Sequence, residues 1–268
     1  MVIEKVYNVL ERPQKAGTMI KHYEIKQCIG MGSYGIAYQA FDHEKNRLVC
    51  LKETRRFRRD VQKVHRSFTR ECEMLQMIDV DSFPKVYDFF LDKERSYLVL
   101  QLMNGKTFEH MIFNEKVLIE EQQAFYYLLQ VSKVVQIFHN QGIVHRDLRI
   151  PNILWDGSNV RIIDFGLARY NYEKDHRINT YSEDKKLMRQ ISYRSDLFAL
   201  GHFVLFLLYS SYVPTSKKQK SWEEELDISG DSRYIIRKLL LLDEPFEHIS
   251  ELISTLVNLD RGSRNVFF

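Results

Sequence analysis

Cysteine is scarce in this chain: Cys28, Cys50 and Cys72 are the only three among 268 residues, widely spaced and never in a CxxC pair. So odd and scattered a set argues against a disulfide framework or a zinc site, and a reducing cytoplasm is the simplest setting. An excess of one charge is lacking too. The 39 Lys and Arg against 36 Asp and Glu leave +3, too little to point to nucleic acid or a membrane surface as partner. No apolar run is long enough for a membrane span. The best candidate, Leu197 to Val213, is interrupted by His202 and by several Ser and Tyr. Its core of about a dozen residues falls short of the roughly 20 that a bilayer requires, so it reads as a buried helix. The first residues, MVIEKVYNVLERPQK, carry charges inside their apolar stretch and do not read as a signal peptide. There is no Pro/Gly/Ser linker and no internal repeat.

What is present is an ordinary globular composition, 44% hydrophobic, 28% charged and 13% aromatic, in a chain long enough for one large domain or two small ones. The first half reads as strand-rich. Tyr23, Ile25 and Ile29 alternate with polar residues, and Arg47 to Lys52 and Ser96 to Leu102 are short apolar runs bounded by charged turns. One helix interrupts them, with Phe68, Cys72, Leu75 and Ile78 at helical spacing. From about Glu120 the pattern turns helical: Phe125, Leu128, Leu129, Val131, Val134, Val135 and Phe138 mark a long amphipathic helix that Gly142 can cap. Two short strands follow, Ile153 to Trp155 and Val160 to Ile163, across the turn Asp156-Gly157-Ser158. Further helices are expected over Asp196 to Ser210, Ser232 to Leu242 and Glu247 to Leu259. A sheet-rich lobe followed by a helical one predicts an active site in the cleft between them.

Three groups of residues carry chemistry. Gly30-Met31-Gly32-Ser33-Tyr34-Gly35 is a G-x-G-x-x-G run. It can open a dinucleotide-binding helix, form the tip of a hairpin over phosphates, or be an ordinary Gly-rich turn. The strand-like Ile36 to Phe41 that follows favours the hairpin, although Glu53 lies near the acidic position a dinucleotide site needs. Next comes Lys52, at the end of the apolar Val49-Cys50-Leu51 and 17 residues beyond Gly35. Such a lysine can be a surface residue with its stem on apolar neighbours. To hold phosphates it needs a fixed partner, and Glu71 supplies one from the predicted helix. Glu73 competes, but Leu75 puts Glu71 on the core side. Sharpest is His145-Arg146-Asp147-Leu148-Arg149-Ile150-Pro151-Asn152, followed 17 residues after Asp147 by Asp164-Phe165-Gly166. Each residue alone could serve a turn; as an ordered set they present the hard oxygen donors that suit Mg²⁺ and substrate phosphates.

In order and spacing this set resembles a Hanks-type protein kinase catalytic domain, and is similar to the short bacterial Ser/Thr kinases of that type, over roughly residues 20 to 260. The resemblance implies an α+β bilobal fold: an N-terminal extension (1–20), a β-rich N-lobe with one regulatory helix (21–103) and a mainly helical C-lobe (104–268). It implies transfer of the γ-phosphoryl group of ATP, with Mg²⁺ or Mn²⁺, to Ser/Thr hydroxyls of protein substrates, the kinase itself included. Gly30, Gly32, Ser33 and Gly35 would cover the phosphates, and Lys52, held by Glu71, would grip them. Asp147 would accept the hydroxyl proton, and Asn152 and Asp164 would hold the metal. Leu100 would be the gatekeeper, Gln101 and Met103 would meet the adenine edge, and Ile29, Ala37, Cys50 and Leu154 would sandwich the ring. Cys50 stands where many kinases have Ala. Arg146 would pair with a phosphorylated Thr180, Tyr181 or Ser182, or else with an acidic side chain.

The departures are as informative. Arg149 replaces the lysine usual two residues after the catalytic Asp, offering a wider planar fork to the γ-phosphate. No Ala-Pro-Glu motif is present, and Ser182-Glu183-Asp184 occupies its expected place. The late arginine that pairs with that Glu has no counterpart; its position falls in Asp243 to Glu247. Substrate selection is therefore expected to differ from that of other protein kinases. A small-molecule phosphotransferase and a nucleotide-binding pseudokinase remain as alternatives. The basic run Arg55, Arg56, Arg58, Arg59, Lys63, Arg66 reads as a solvated face or as a dock for an acidic or phosphorylated partner, or for nucleic acid. Val2, Val6 and Leu10 can line a short helix that Arg12-Pro13 would end.

Overall fold

The computed structural model describes residues 12–32, 35–55, 61–93, 95–175, 178–214 and 220–264, without the side chains of 61–64, 179, 184 and 260–264. Ser33, Arg56, Arg58, Arg59, the Lys63 side chain and the N-terminal helix expected around Val2, Val6 and Leu10 lie outside the described residues. The chain divides into two compact units, Met1–Asn104 and Gly105–Phe268.

Among the described residues, the first unit is a six-stranded antiparallel sheet with one helix. Its strands are β1 (Met19–Ile20), β2 (Tyr23–Met31), β3 (Gly35–Asp42), β4 (Arg47–Thr54), β5 (Val86–Asp92) and β6 (Arg95–Gln101), and helix α1 spans Val61–Ile78. Spatial order is β1-β2-β3-β4-β6-β5. Side chains alternate between the faces of a strand, and here the alternation separates structure from chemistry. Ile25, Ile36, Tyr38, Ala40, Val49, Leu51, Tyr97 and Val99 are buried together in one core. Ala37, Cys50, Lys52, Leu98 and Leu100 fall on the opposite face. The pairs Ala37↔Lys52, Lys52↔Leu98 and Cys50↔Leu100 stand directly across from one another. Helix α1 buries Phe68, Leu75 and Ile78, three of the four residues whose spacing predicts it; Cys72 is half-buried. Ile29, expected on the buried alternation, is 46% exposed. The ladder shifts register between Cys28 and Gly30, and such a bulge re-aims the residues that follow it.

The second unit is built on helices α2 (Glu121–His139), α3 (Glu183–Arg189), α4 (Tyr193–Tyr209), α5 (Trp222–Glu225), α6 (Gly230–Leu239) and α7 (Ile249–Arg264), with a π-helical turn at His110–Asn114. Short strands β7 (Lys106–Thr107), β9 (Ile153–Trp155) and β10 (Val160–Ile162) form one small sheet, and β8 (Ile143–Val144) pairs with β11 (Arg169–Tyr170). Helix α2 packs against α4 and α7. Phe108 joins them edge-on to Tyr127 and Phe203, with ring centroids 4.9 and 5.0 Å apart. No described helix is long and apolar enough to cross a membrane. The Leu197 to Val213 run is indeed core: α4 buries Leu197, Leu200, Phe203, Val204 and Leu207. This helix starts three residues before the expected Asp196, because Ser192 caps it by accepting the Arg194 N–H. Likewise Ser229 starts α6 two residues before the expected Ser232. Gly142, with φ +74°, ends the turn after α2 in the left-handed conformation that glycine favours.

Candidate active site

Strand β4 places Lys52 on the chemical face of the first unit. Its ammonium meets Glu71 of α1, Nζ to Oε1 2.5 Å, with side-chain exposures of 14% and 1%. Glu73 is exposed. A buried carboxylate that carries a cation within hydrogen-bond reach fixes that cation in place. Gly30 stands opposite Ala37, and the β2–β3 turn is closed by the Gly32 N–H on the Gly35 carbonyl, 2.9 Å. The glycine run is thus a hairpin tip, and no helix follows it, which disposes of the dinucleotide reading. Gly35 also has a packing reason to be glycine. A Cβ there would lie 2.7 Å from the Glu53 carbonyl oxygen and 3.1 Å from the Phe68 ring. Leu100 is buried at the β6 end, and the Gln101 amide donates to the Lys85 carbonyl at 2.8 Å. Met103 and Cys50 are half-buried.

Glu53 does not serve a ribose. It is 1% exposed on the core face and accepts hydrogen bonds from Tyr97 Oη (2.9 Å), Tyr38 Oη (3.0 Å), Gln14 Nε2 (3.2 Å) and the Arg95 guanidinium. Burial, with Glu53 alongside, pushes both phenols far above their ordinary range. The alternation Val49, Leu51, Glu53 was the sequence signal for this buried acid.

In the second unit the candidate catalytic loop, residues 145–152, follows β8. Its Arg146 and, beyond β10, Asp164 take left-handed φ values of 67° and 68°, conformations that cost energy for a side-chain-bearing residue and need surroundings that enforce them. At Arg146 the enforcer is Asp196, fully buried at the start of α4. It accepts the Arg146 N–H (2.7 Å), the His145 N–H (2.8 Å) and, at 3.0 Å, meets His139 Nε2. Phe165 is fully buried and meets the His145 ring edge-on at 4.7 Å. Burial pushes the His145 imidazole pKa down, against the pull of Asp196, Asp147 and Asp164. Its Nδ1 accepts the Asp147 N–H at 3.2 Å, so the neutral ring carries its proton on Nε2.

The Asp147 carboxylate is the meeting point of the loop. Asn152 Nδ2 donates to its Oδ2 (3.1 Å) and to its main-chain carbonyl (3.0 Å). With its NH₂ so committed, Asn152 turns its own Oδ1, a hard donor, the other way. The β9–β10 pairing Ile153↔Ile162 and the Ile163 N–H on the Asn152 carbonyl (3.0 Å) bring Asn152 beside the segment that carries Asp164. An amide oxygen and a carboxylate suit Mg²⁺; no cluster of three His, Cys, Asp or Glu occurs among the described residues. Leu154, on β9, is buried. Arg149 reaches Asp147 Oδ1 through Nε at 2.7 Å. A second guanidinium, that of Arg189, meets the same oxygen at 2.9 Å.

Arg146 is almost wholly buried and donates through Nε to the Arg189 carbonyl (2.6 Å) and through Nη1 to the Leu167 carbonyl (3.3 Å). Its ion pair is with Asp175. The acidic side chain expected as one of its partners is thus in place; of the three hydroxyls expected as the alternative in phosphorylated form, Tyr181 Oη donates to the same Asp175 carboxylate at 3.5 Å, and Thr180 and Ser182 are exposed. Where Ala-Pro-Glu is missing, the chain forms α3, which ends in Arg189. Two further ion pairs involve the late segment singled out by the sequence: Arg194 with Glu247, and Arg237 with Asp243 at 2.7 Å.

The protein kinase domain model matches residues 23–266. The chain therefore belongs to the protein kinase family. The "Probable serine/threonine-protein kinase YbdM" of Bacillus subtilis is 30% identical over 245 residues, spanning 91% of this chain and 92% of that one. A Clostridium perfringens protein also named as a probable serine/threonine-protein kinase is 26% identical over 201 residues, 72% of this chain and 29% of its own length. Among solved structures, "PpkA-294 apo form" superposes with a TM-score of 0.69 at 19% identity, over 92% of this chain and all of that one, a likeness of fold. The chain is an ATP-dependent Ser/Thr protein kinase of the Hanks type, similar to short bacterial members.

Proposed function

We propose that one catalytic domain, residues 21–268 behind a short N-terminal extension, passes the γ-phosphoryl group of ATP to a protein Ser or Thr through the residues placed above. Asp147 orients the acceptor hydroxyl and takes its proton. Lys52, fixed by Glu71, holds the α- and β-phosphates, which Gly30, Gly32, Ser33 and Gly35 of the glycine-rich run serve to cover. Ile29, Ala37, Cys50, Leu100, Gln101, Met103 and Leu154 receive the adenine. Asn152 and Asp164 hold Mg²⁺, which when bound neutralises phosphate charge. Arg149 steadies Asp147 and faces the transferred group. Such a reaction asks little covalent chemistry of the protein, only position and charge.

The observation that carries this reading is the Lys52–Glu71 pair, formed at 2.5 Å with both side chains largely buried. A kinase fold that only binds partners has no need to desolvate that pair. The three cysteines, none of them in a disulfide, and the need for ATP support a cytoplasmic setting.

Transfer from γ-labelled ATP to the protein itself and to a basic protein acceptor tests the reading, with Asp147→Asn beside the wild type. Label is expected on the acceptor, and on the kinase too, and the variant should lose it by about 10²- to 10⁴-fold, the span of a general base. Wild-type levels of transfer in the variant would overturn the assignment of Asp147.

A further inference from the structure

We infer that Arg189, together with Arg149, is a specificity-determining residue: the pair selects acceptors that carry an anionic side chain, a carboxylate or a phosphate, next to the Ser or Thr hydroxyl. The inference rests on Asp147 being the residue that receives that hydroxyl.

Its basis is an unbalanced charge. Arg149 Nε and Arg189 Nη2 sit 2.7 and 2.9 Å from one oxygen, Asp147 Oδ1. Two guanidiniums on one carboxylate leave a net positive charge at the acceptor side. Arg146 adds none to it, since Asp175 neutralises that guanidinium. A guanidinium has five N–H donors. Arg149 uses only Nε and Nη2, both on Asp147, and its side chain is 57% exposed. Arg189 commits Nη1 to the Arg146 carbonyl and Nη2 to Asp147, and keeps 21% of its side-chain surface. The remaining donors suit planar, bidentate capture of carboxylate or phosphate.

Arg189 is also held in place. The Arg189 carbonyl accepts Arg146 Nε at 2.6 Å, while the Arg189 guanidinium donates back to the Arg146 carbonyl. This reciprocal clasp joins the end of α3 to the catalytic loop, in the stretch where the peptide-docking motif of other kinases is missing. A hydroxyl bonded to Asp147 carries its chain neighbours within about 4 Å, Cα to Cα, on either side. An anionic side chain there reaches both guanidiniums, and a lysine meets like charge.

The test is initial-rate phosphorylation of synthetic peptides with a central Ser or Thr. The neighbouring positions carry Asp, phosphoserine, Ala or Lys in turn, and the Asp and phosphoserine arms separate the two sources of anion. Wild type is expected to favour an anionic neighbour over Ala by about tenfold in kcat/KM, the scale of one solvent-exposed charge-assisted hydrogen bond. Lys should fall below Ala. Arg189→Gln should shrink the anion-to-Ala ratio while Arg189→Lys keeps most of it. A flat profile in active wild-type enzyme overturns the inference, as does Arg189→Gln that slows every peptide alike, since a merely structural arginine would do that. The wild-type profile and the Lys variant decide the matter even where Arg189→Gln folds poorly. Full transfer by Asp147→Asn would instead mark failure of the underlying assignment.

Discussion

Removing the Asp175 carboxylate isolates a buried charge. The Arg146 side chain is 2% exposed and that of Asp175 is 9% exposed, so neither loses its partner to water easily. Breaking a buried ion pair by deleting one member costs about 3–5 kcal/mol. Two main-chain carbonyls, of Arg189 and Leu167, still accept from Arg146 after the change, which lowers the expectation for Asp175→Ala to about 2–3 kcal/mol. Asp175→Asn keeps an oxygen acceptor and should cost less. The loss is local: it falls on the segment between Asp164 and Arg189 that Arg146 gathers. Amide hydrogen exchange resolves this, and 2–3 kcal/mol corresponds to about 30- to 150-fold faster exchange through opening of that segment. Wild-type rates across residues 165–175 in Asp175→Ala would refute the reasoning. The same geometry makes a second statement about the wild type. Since the cation is already balanced, Thr180→Ala/Tyr181→Phe/Ser182→Ala should keep kinase activity, whereas Asp175→Ala should lower it.

Gly35→Ala should destabilise the first unit by about 1–3 kcal/mol, as overpacking does, because its Cβ would meet main chain at 2.7 Å, whereas at Gly30 the nearest atom is 3.9 Å away; Gly30→Ala should leave the denaturation midpoint nearly unchanged, and equal midpoints for the two would refute the packing argument. The lowered pKa of buried His145 means that below the ordinary imidazole value of about 6.5 the unfolded chain binds more protons than the folded one. Its contribution is whole above that value and is lost as pH falls from there toward the folded pKa. Denaturant midpoints measured between about pH 8 and 5 should therefore drop less in His145→Asn than in wild type, and parallel drops would count against the buried neutral ring.

What the sequence discloses about the site follows from how tightly chemistry constrains it. Lys52, Asp147, Asn152 and Asp164 stand out in the sequence because the protein kinase signature fixes both residue type and order along the chain. Glu71 is legible by periodicity, since it shares a helix face with Leu75 and Ile78, all three buried while Glu73 is exposed. The helix Glu183–Arg189 carries no apolar stripe, and the strand Val86–Asp92 buries only Phe90, so neither has a period to read. Asp175 and Arg189 are invisible for a different reason: their meaning lies in partners 29 and 43 residues away, and only the fold pairs them; Asp196 is legible at the start of the large buried helix, but its partners are not.

Asp175, Arg189 and Asp196 account for how the chain does without the Ala-Pro-Glu anchor. The segment after Asp164 must be tied down at both ends if Asp147 is to meet an acceptor in a fixed geometry. Asp175 ties its middle through the Arg146 side chain, and Arg189 ties its end through the Arg146 main chain and Asp147 itself. Asp196 holds the Arg146 and His145 amides from below. Arg146 is thus the hub of the arrangement, with every polar group of its side chain and its carbonyl directed at the segment and its backbone N–H at α4. An anchor built this close to the Asp147 carboxylate brings its own charge with it. The substitution that replaces a distant docking pair by a clasp at the catalytic loop also changes what the loop can recognise, which is why fold stability and acceptor choice converge on Arg189.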